Sequence, residues 1–167
     1  AGALALEAIP EMAVFLRTRV PSAARLLAPR VITVTAAVVA AYLLGVGVAW
    51  YETAVLLGAV PAGGLLLGAL LGVLYLAFAV AVVAVAGSRT GSVLATVLVS
   101  LVVLAMLPLL GIVEAVGRWL PSHLVGALTG LVSGDGAGDY LPAALVTPAV
   151  TAVLLWLAVR MSGAREA

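Results

Sequence analysis

TAVLLGAVPAGGLLLGALLGVLYLAFAVAVVAVAGS, residues 53–88, is the stretch whose reading decides the fold. Glu52 stands before it and Arg89 after it, so about 36 residues pass without an ionised side chain. An α-helix needs about 20 apolar residues to cross the hydrocarbon core of a bilayer. The run is too long for one crossing and too short for two with a turn. The expected solution is a short surface segment from Thr53 to Val60, a break at Pro61-Ala62-Gly63, and a crossing over 64–86. Backbone groups in lipid find no water to bond, so the crossing has to be helical.

Composition carries the same reading outward. Of 167 residues, 65% are hydrophobic and only 9% charged. A soluble domain of this length has no core large enough to hide that much apolar surface. The fold class is an all-α polytopic membrane protein. With no cysteine there is no disulfide, thiolate nucleophile or Cys-based metal site. The single histidine, His123, leaves no metal-ligand spacing and no credible Ser-His-Asp set. Gly87 to Gly91 lacks the Lys and the strand-to-helix setting of a phosphate loop. No catalytic residues, no metal and no cofactor on this chain are expected, and no nucleic-acid partner. The chain opens on Ala1, with no basic leader and apolar core, so it is read as a processed chain or a piece of a longer one.

Around the central run, charges and prolines mark the other elements. Residues 1–30 are amphipathic and punctuated by Pro10, Pro21 and Pro29. Proline suits a first helical turn and breaks interiors, so helices over about 10–18 and 21–28 are expected. From spacing alone, a basic helix at the headgroups is the simpler reading and a docking element for a cytoplasmic partner the sharper one. Residues 31–51 form the first crossing, closed by Trp50 and Tyr51 at the interface. The second crossing, 64–86, carries Gly64, Gly68 and Gly72 on one face, where another helix can approach closely. Packing within the chain is preferred there over a dimer seam. The third crossing covers 93–113 and contains Pro108, which should kink it. Leu120, Leu124, Leu128 and Leu131 recur at helical spacing, so a short helix over 122–132 should lie on or dip into the membrane. Residues 143–159 form the fourth crossing, within a four-helix transmembrane domain over 31–161, and 162–167 a polar tail.

Four crossings put both ends on one side. Arg17, Arg19, Arg25, Arg30, Arg89, Arg160 and Arg165 all fall there, and only Arg118 falls opposite. The positive-inside rule makes the arginine side cytoplasmic, with Glu52, Glu114, Asp135 and Asp139 outside. The expected location is the plasma (inner) membrane, multi-pass. Ionisable groups within a bilayer are functional candidates by default. The crossings hold none apart from Glu114 at an outer edge, which disfavours a proton-coupled carrier and points to a partner as the source of energy.

The connector MAVFLRTRVPSAARLLA, residues 12–28, with Glu7 or Glu11 ahead of it, resembles the cytoplasmic connector of ABC-2 type transporter permeases. Leu16, Pro21-Ser22, Arg25 and Leu26-Leu27 fall at matching places, while Arg19 stands where that family has a small or apolar residue. WLPSHL, residues 119–124, resembles the segment before the family's last span, where short re-entrant helices lie on the outer side. The match covers the second half of a six-span domain, which implies that the first two spans are missing from this chain. The resemblance implies a permease subunit that docks an ATP-binding cassette subunit carrying ATP and Mg, pairs with a second permease subunit and works in export. It implies that Glu11, Arg17, Pro21 and Arg25 couple to the ATPase. Met106, Pro108 and Glu114 would line the substrate path, and Trp119 and His123 would form an outer gate. The alternative is a non-transporting anchor or assembly partner in a larger membrane complex; a small intramembrane enzyme ranks third, weakened by the missing catalytic set.

Overall fold

A computed structural model describes residues 23–56, 58, 61–90 and 92–164, with the side chains of residues 23–27, 114, 163 and 164 left aside. Every regular element among them is helical. Among the described residues, four helices are long and apolar enough to cross a membrane. They are α1 (Ala23–Leu56), α2 (Ala62–Arg89), α3 (Val93–Leu110) and α6 (Ala137–Ala164). Three short pieces join α3 to α6: α4 (Glu114–Gly117), a 3-10 helix (Pro121–Gly126) and α5 (Ala127–Ser133).

Helix α2, the core of the opening stretch, is the centre of the bundle. Of its most apolar window 44% is buried within the chain, against 0% for α1, 11% for α3 and 17% for α6. It packs against α1, α3, α5, α6 and the 3-10 helix. Two apolar clusters sit along it. Toward its C-terminus, Val80 and Ala84 meet Ala158 of α6, flanked by Val31 and Val34 of α1. Toward its N-terminus, Leu71 meets Leu124, Ala127 and Leu131 of the short pieces and Tyr140 and Ala143 of α6.

These contacts align the elements. Arg89 Nε donates to Met161 Sδ at 3.1 Å, so α2 and α6 finish side by side. The start of α1 lies beside them, and this arginine end carries Arg30, Arg89 and Arg160. The opposite, acidic end carries Glu52, Asp135, Asp139 and Arg118. At about 1.5 Å per residue, the 28 residues of α2 run about 42 Å and the 18 of α3 about 27 Å. Both are counted from the arginine end, so α3 stops about 15 Å short of the far end of α2. The short pieces fill the gap. Leu131 lies against Gly64, Leu128 against Gly68, and Leu124 in the cluster of Leu71, so the 3-10 helix and α5 run antiparallel along the first half of α2.

The helix bounds differ from those expected. Thr53 to Leu56 continue α1 as its last turn instead of lying apart, and Thr53 Oγ1 bonds back to the Ala49 carbonyl at 2.7 Å. Pro29 sits inside α1 and does not divide it; its carbonyl accepts Thr33 Oγ1 at 2.8 Å. Helix α3 ends at Leu110, three residues early, because Pro108 removes a ladder donor in the last turn and Gly111 follows it. Helix α6 begins at Ala137 and carries both Pro142 and Pro148. The single short helix expected over 122–132 is a 3-10 turn that opens on Pro121 and passes into α5 after Gly126. Of the connector, residues 1–22 lie outside the described residues, as do residues 165–167 of the tail.

Candidate functional site

At the acidic end the early stop of α3 leaves a cleft of about 670 Å³. It is lined by Gly111 after α3, Ala115 and Gly117 of α4, Arg118, His123, and Gly138, Asp139 and Pro142 of α6. The backbone makes it possible. Gly117 N donates to the Val113 carbonyl at 2.8 Å, and a side chain at Gly117 would run into the Gly111 carbonyl. Leu120 N then bonds to the Gly117 carbonyl at 3.1 Å and His123 N to the Leu120 carbonyl at 3.0 Å. These successive tight turns fold the chain back instead of letting α3 continue.

Tyr140 ties the far wall together. It is buried, its ring stacks on His123 at 5.0 Å between centroids, and its hydroxyl donates to Asp135 Oδ2 at 3.0 Å. One side chain therefore joins the 3-10 helix, the turn after α5 and the first turn of α6. Gly130 gives the contact room, since a Cβ there would meet both the Tyr140 hydroxyl and the Asp135 carboxylate. Gly134, at φ 106°, makes the turn itself, in the left-handed region that side chains disfavour.

The cleft has the chemistry of a binding site. It offers one guanidinium, one carboxylate and one imidazole beside the backbone of three glycines, Gly111, Gly117 and Gly138. Among the described residues no group of three or more His, Asp or Glu could hold a metal ion. A second, smaller groove of about 180 Å³ lies between α1, α2 and α5 and is nearly all apolar, lined by Val46, Ala49, Trp50, Thr53, Leu65, Leu128, Thr129 and Val132.

Of the residues singled out from the sequence, His123 lines the cleft and Trp119, four residues before it, is half-exposed outside it. Met106 and Pro108 are exposed on α3 and do not line the cleft; Glu114 opens α4, and only its backbone is described. Gly64 and Gly68 face α5: a Cβ would lie 2.5 Å from the Leu131 carbonyl oxygen and 2.6 Å from Leu128 Cα. Gly72 faces the hydroxyl of Tyr42 on α1. Glu11, Arg17 and Pro21 lie outside the described residues, and only the backbone of Arg25 is described, in the first turn of α1. Sequence reading missed Arg118, Asp139, Tyr140 and Asp135. A signal existed for one of them, since Arg118 is the lone basic residue opposite the other seven.

No protein-family model, curated protein or solved structure matches the chain, so its site has to be read from its own geometry.

Proposed function

We propose that the chain is a transmembrane permease subunit of an ATP-driven ABC-2 type transporter working in export. The supporting observation is the break between α3 and α6. A third long helix stops short, two short helical pieces fold back along α2, and a last long helix follows. That is the order the resemblance of residues 119–124 implies, with short re-entrant helices on the outer side before the final span. The arginine end is then cytoplasmic by the positive-inside rule, and the cleft opens outside.

In this reading the chain supplies movement and a path, and the energy comes from outside it. An ATP-binding cassette subunit, carrying ATP and Mg, docks on residues 1–30 through Glu11, Arg17, Pro21 and Arg25. Because α1 is one continuous helix through Pro29, a pull on its cytoplasmic start is carried along its length to Trp50 and Thr53 beside α5. A second permease subunit completes the path along Met106, Pro108 and Glu114, with Trp119 and His123 at the outer gate. Exposed side chains such as Leu44 and Leu56 of α1 and Leu98 and Leu101 of α3 leave room for that partner as well as for lipid.

Pull-down of the chain should recover a Walker-type ATPase. Reversing charge at two positions, Arg17→Glu with Arg25→Glu, should lower its stimulated ATP hydrolysis without preventing membrane insertion; unchanged stimulation counts against docking there. A stable complex with no nucleotide-binding chain would make the protein a non-transporting anchor instead. Orientation has its own test, helped by the absence of native cysteine. An impermeant maleimide should label Ala28→Cys and Ser88→Cys from one side of the membrane and Ser133→Cys from the other. Labelling of all three from one side ends the four-crossing topology.

A further inference from the structure

We propose that the cleft between α3, α4 and α6 binds a zwitterionic phospholipid headgroup of the phosphoethanolamine class, drawn from the leaflet at the acidic end. Its volume of about 670 Å³ is that of a small-molecule site, and its lining carries opposite charges. Arg118 has the donor fork that matches a phosphate, and it makes no hydrogen bond or ion pair with any described residue. His123 lies on the same wall, its ring backed by Tyr140. Asp139 faces the same space from α6, while the neighbouring carboxylate, Asp135, is already engaged by the Tyr140 hydroxyl. A phosphate on Arg118 and His123 with an ammonium on Asp139 satisfies all three groups. A purely anionic headgroup would leave Asp139 facing a like charge.

The rim argues for a lipid over a dissolved zwitterion. Ile112, Val113 and Val116 are exposed, at 76%, 60% and 49%, and alternate in sequence with the lining residues Gly111, Ala115 and Gly117. They continue the apolar end of α3, where Leu109 and Leu110 are also exposed. Acyl chains would lie along these side chains while the headgroup enters the cleft. Such a lipid would sit there whether or not the chain transports anything, so loss of this site and loss of the transport reading are separate outcomes.

The test loads the full chain into nanodiscs with equal phosphatidylethanolamine and phosphatidylglycerol, extracts it in mild detergent, and quantifies retained lipid by mass spectrometry. The wild-type chain should retain phosphatidylethanolamine over phosphatidylglycerol. Arg118→Gln should lower that retention about tenfold, the size expected for one charged hydrogen-bonding partner. Asp139→Asn should remove the discrimination against phosphatidylglycerol. Gly138→Leu leaves every charge in place, and its Cβ meets no atom within 4 Å, so it should fill the cleft and abolish retention. Should Arg118→Gln lose its helical circular dichroism, Gly138→Leu decides alone. Equal retention of both lipids by wild type and Gly138→Leu overturns the proposal. So does displacement of the lipid by soluble phosphoethanolamine at matching concentration, which would show that the acyl chains contribute nothing.

Discussion

The two halves of α2 solve the same packing problem in different ways. Near the arginine end, Val80 and Ala84 meet Ala158 through side chains, helix against long helix. Near the acidic end, Gly64 and Gly68 meet α5 backbone to backbone, with carbonyl and Cα atoms where a Cβ would stand. The difference follows from length. A partner of 28 residues can spread its contacts along the interface, whereas α5 has seven residues and must approach closely to bury anything. Close approach in lipid rests on van der Waals contact, because lipid tails supply no hydrophobic drive between helices. The half that permits it is also the half with the turns, the polar side chains and the cleft.

That contrast can be broken or sharpened by substitution. Gly68→Leu carries the largest expected effect: its Cβ would stand 2.6 Å from Leu128 Cα and 3.1 Å from the Ala127 carbonyl oxygen, backbone atoms that cannot swing aside. A loss of about 3 kcal/mol is expected in detergent unfolding, the upper end for overpacking. Ala158→Leu overfills the other half, where Ala158 is fully buried, but its neighbours are valine and alanine side chains that can shift, so about 1–2 kcal/mol is expected. If it costs more than Gly68→Leu, the distinction between the halves fails. Tyr140→Phe removes the bond to Asp135 and keeps the His123 stack, for about 1 kcal/mol in the same unfolding assay. Gly63→Leu is the reference at the bottom of the scale. It neighbours Gly64 on α2, has open space at its Cβ, and should leave unfolding unchanged.

The four long helices and the charge asymmetry between their ends were legible from the chain alone. Hydropathy over runs such as 53–88 leaves the backbone no choice but to bond within itself, so length and charge punctuation suffice to count crossings. The glycines at 64, 68 and 72 were legible as a contact face, though not what they contact. His123 was singled out through the resemblance of residues 119–124, not by a catalytic or metal-ligand spacing. Helix ends were the weak point: Pro29, read as a break, lies inside α1, while α3 runs past Pro108 and stops two residues later at Leu110.

By itself, then, the amino-acid sequence determined that the regular elements among the described residues are helical and that four of these helices are able to span a membrane, because the cost of unbonded backbone in hydrocarbon depends only on local composition and length. Only the tertiary structure decided that α2 is the hub, that α3 ends early beside it, and that Arg118, His123 and Asp139 share one cleft. Those outcomes depend on which uniform apolar surfaces meet, and side chains of valine, leucine and alanine on every face of a helix carry no address until the helices pack.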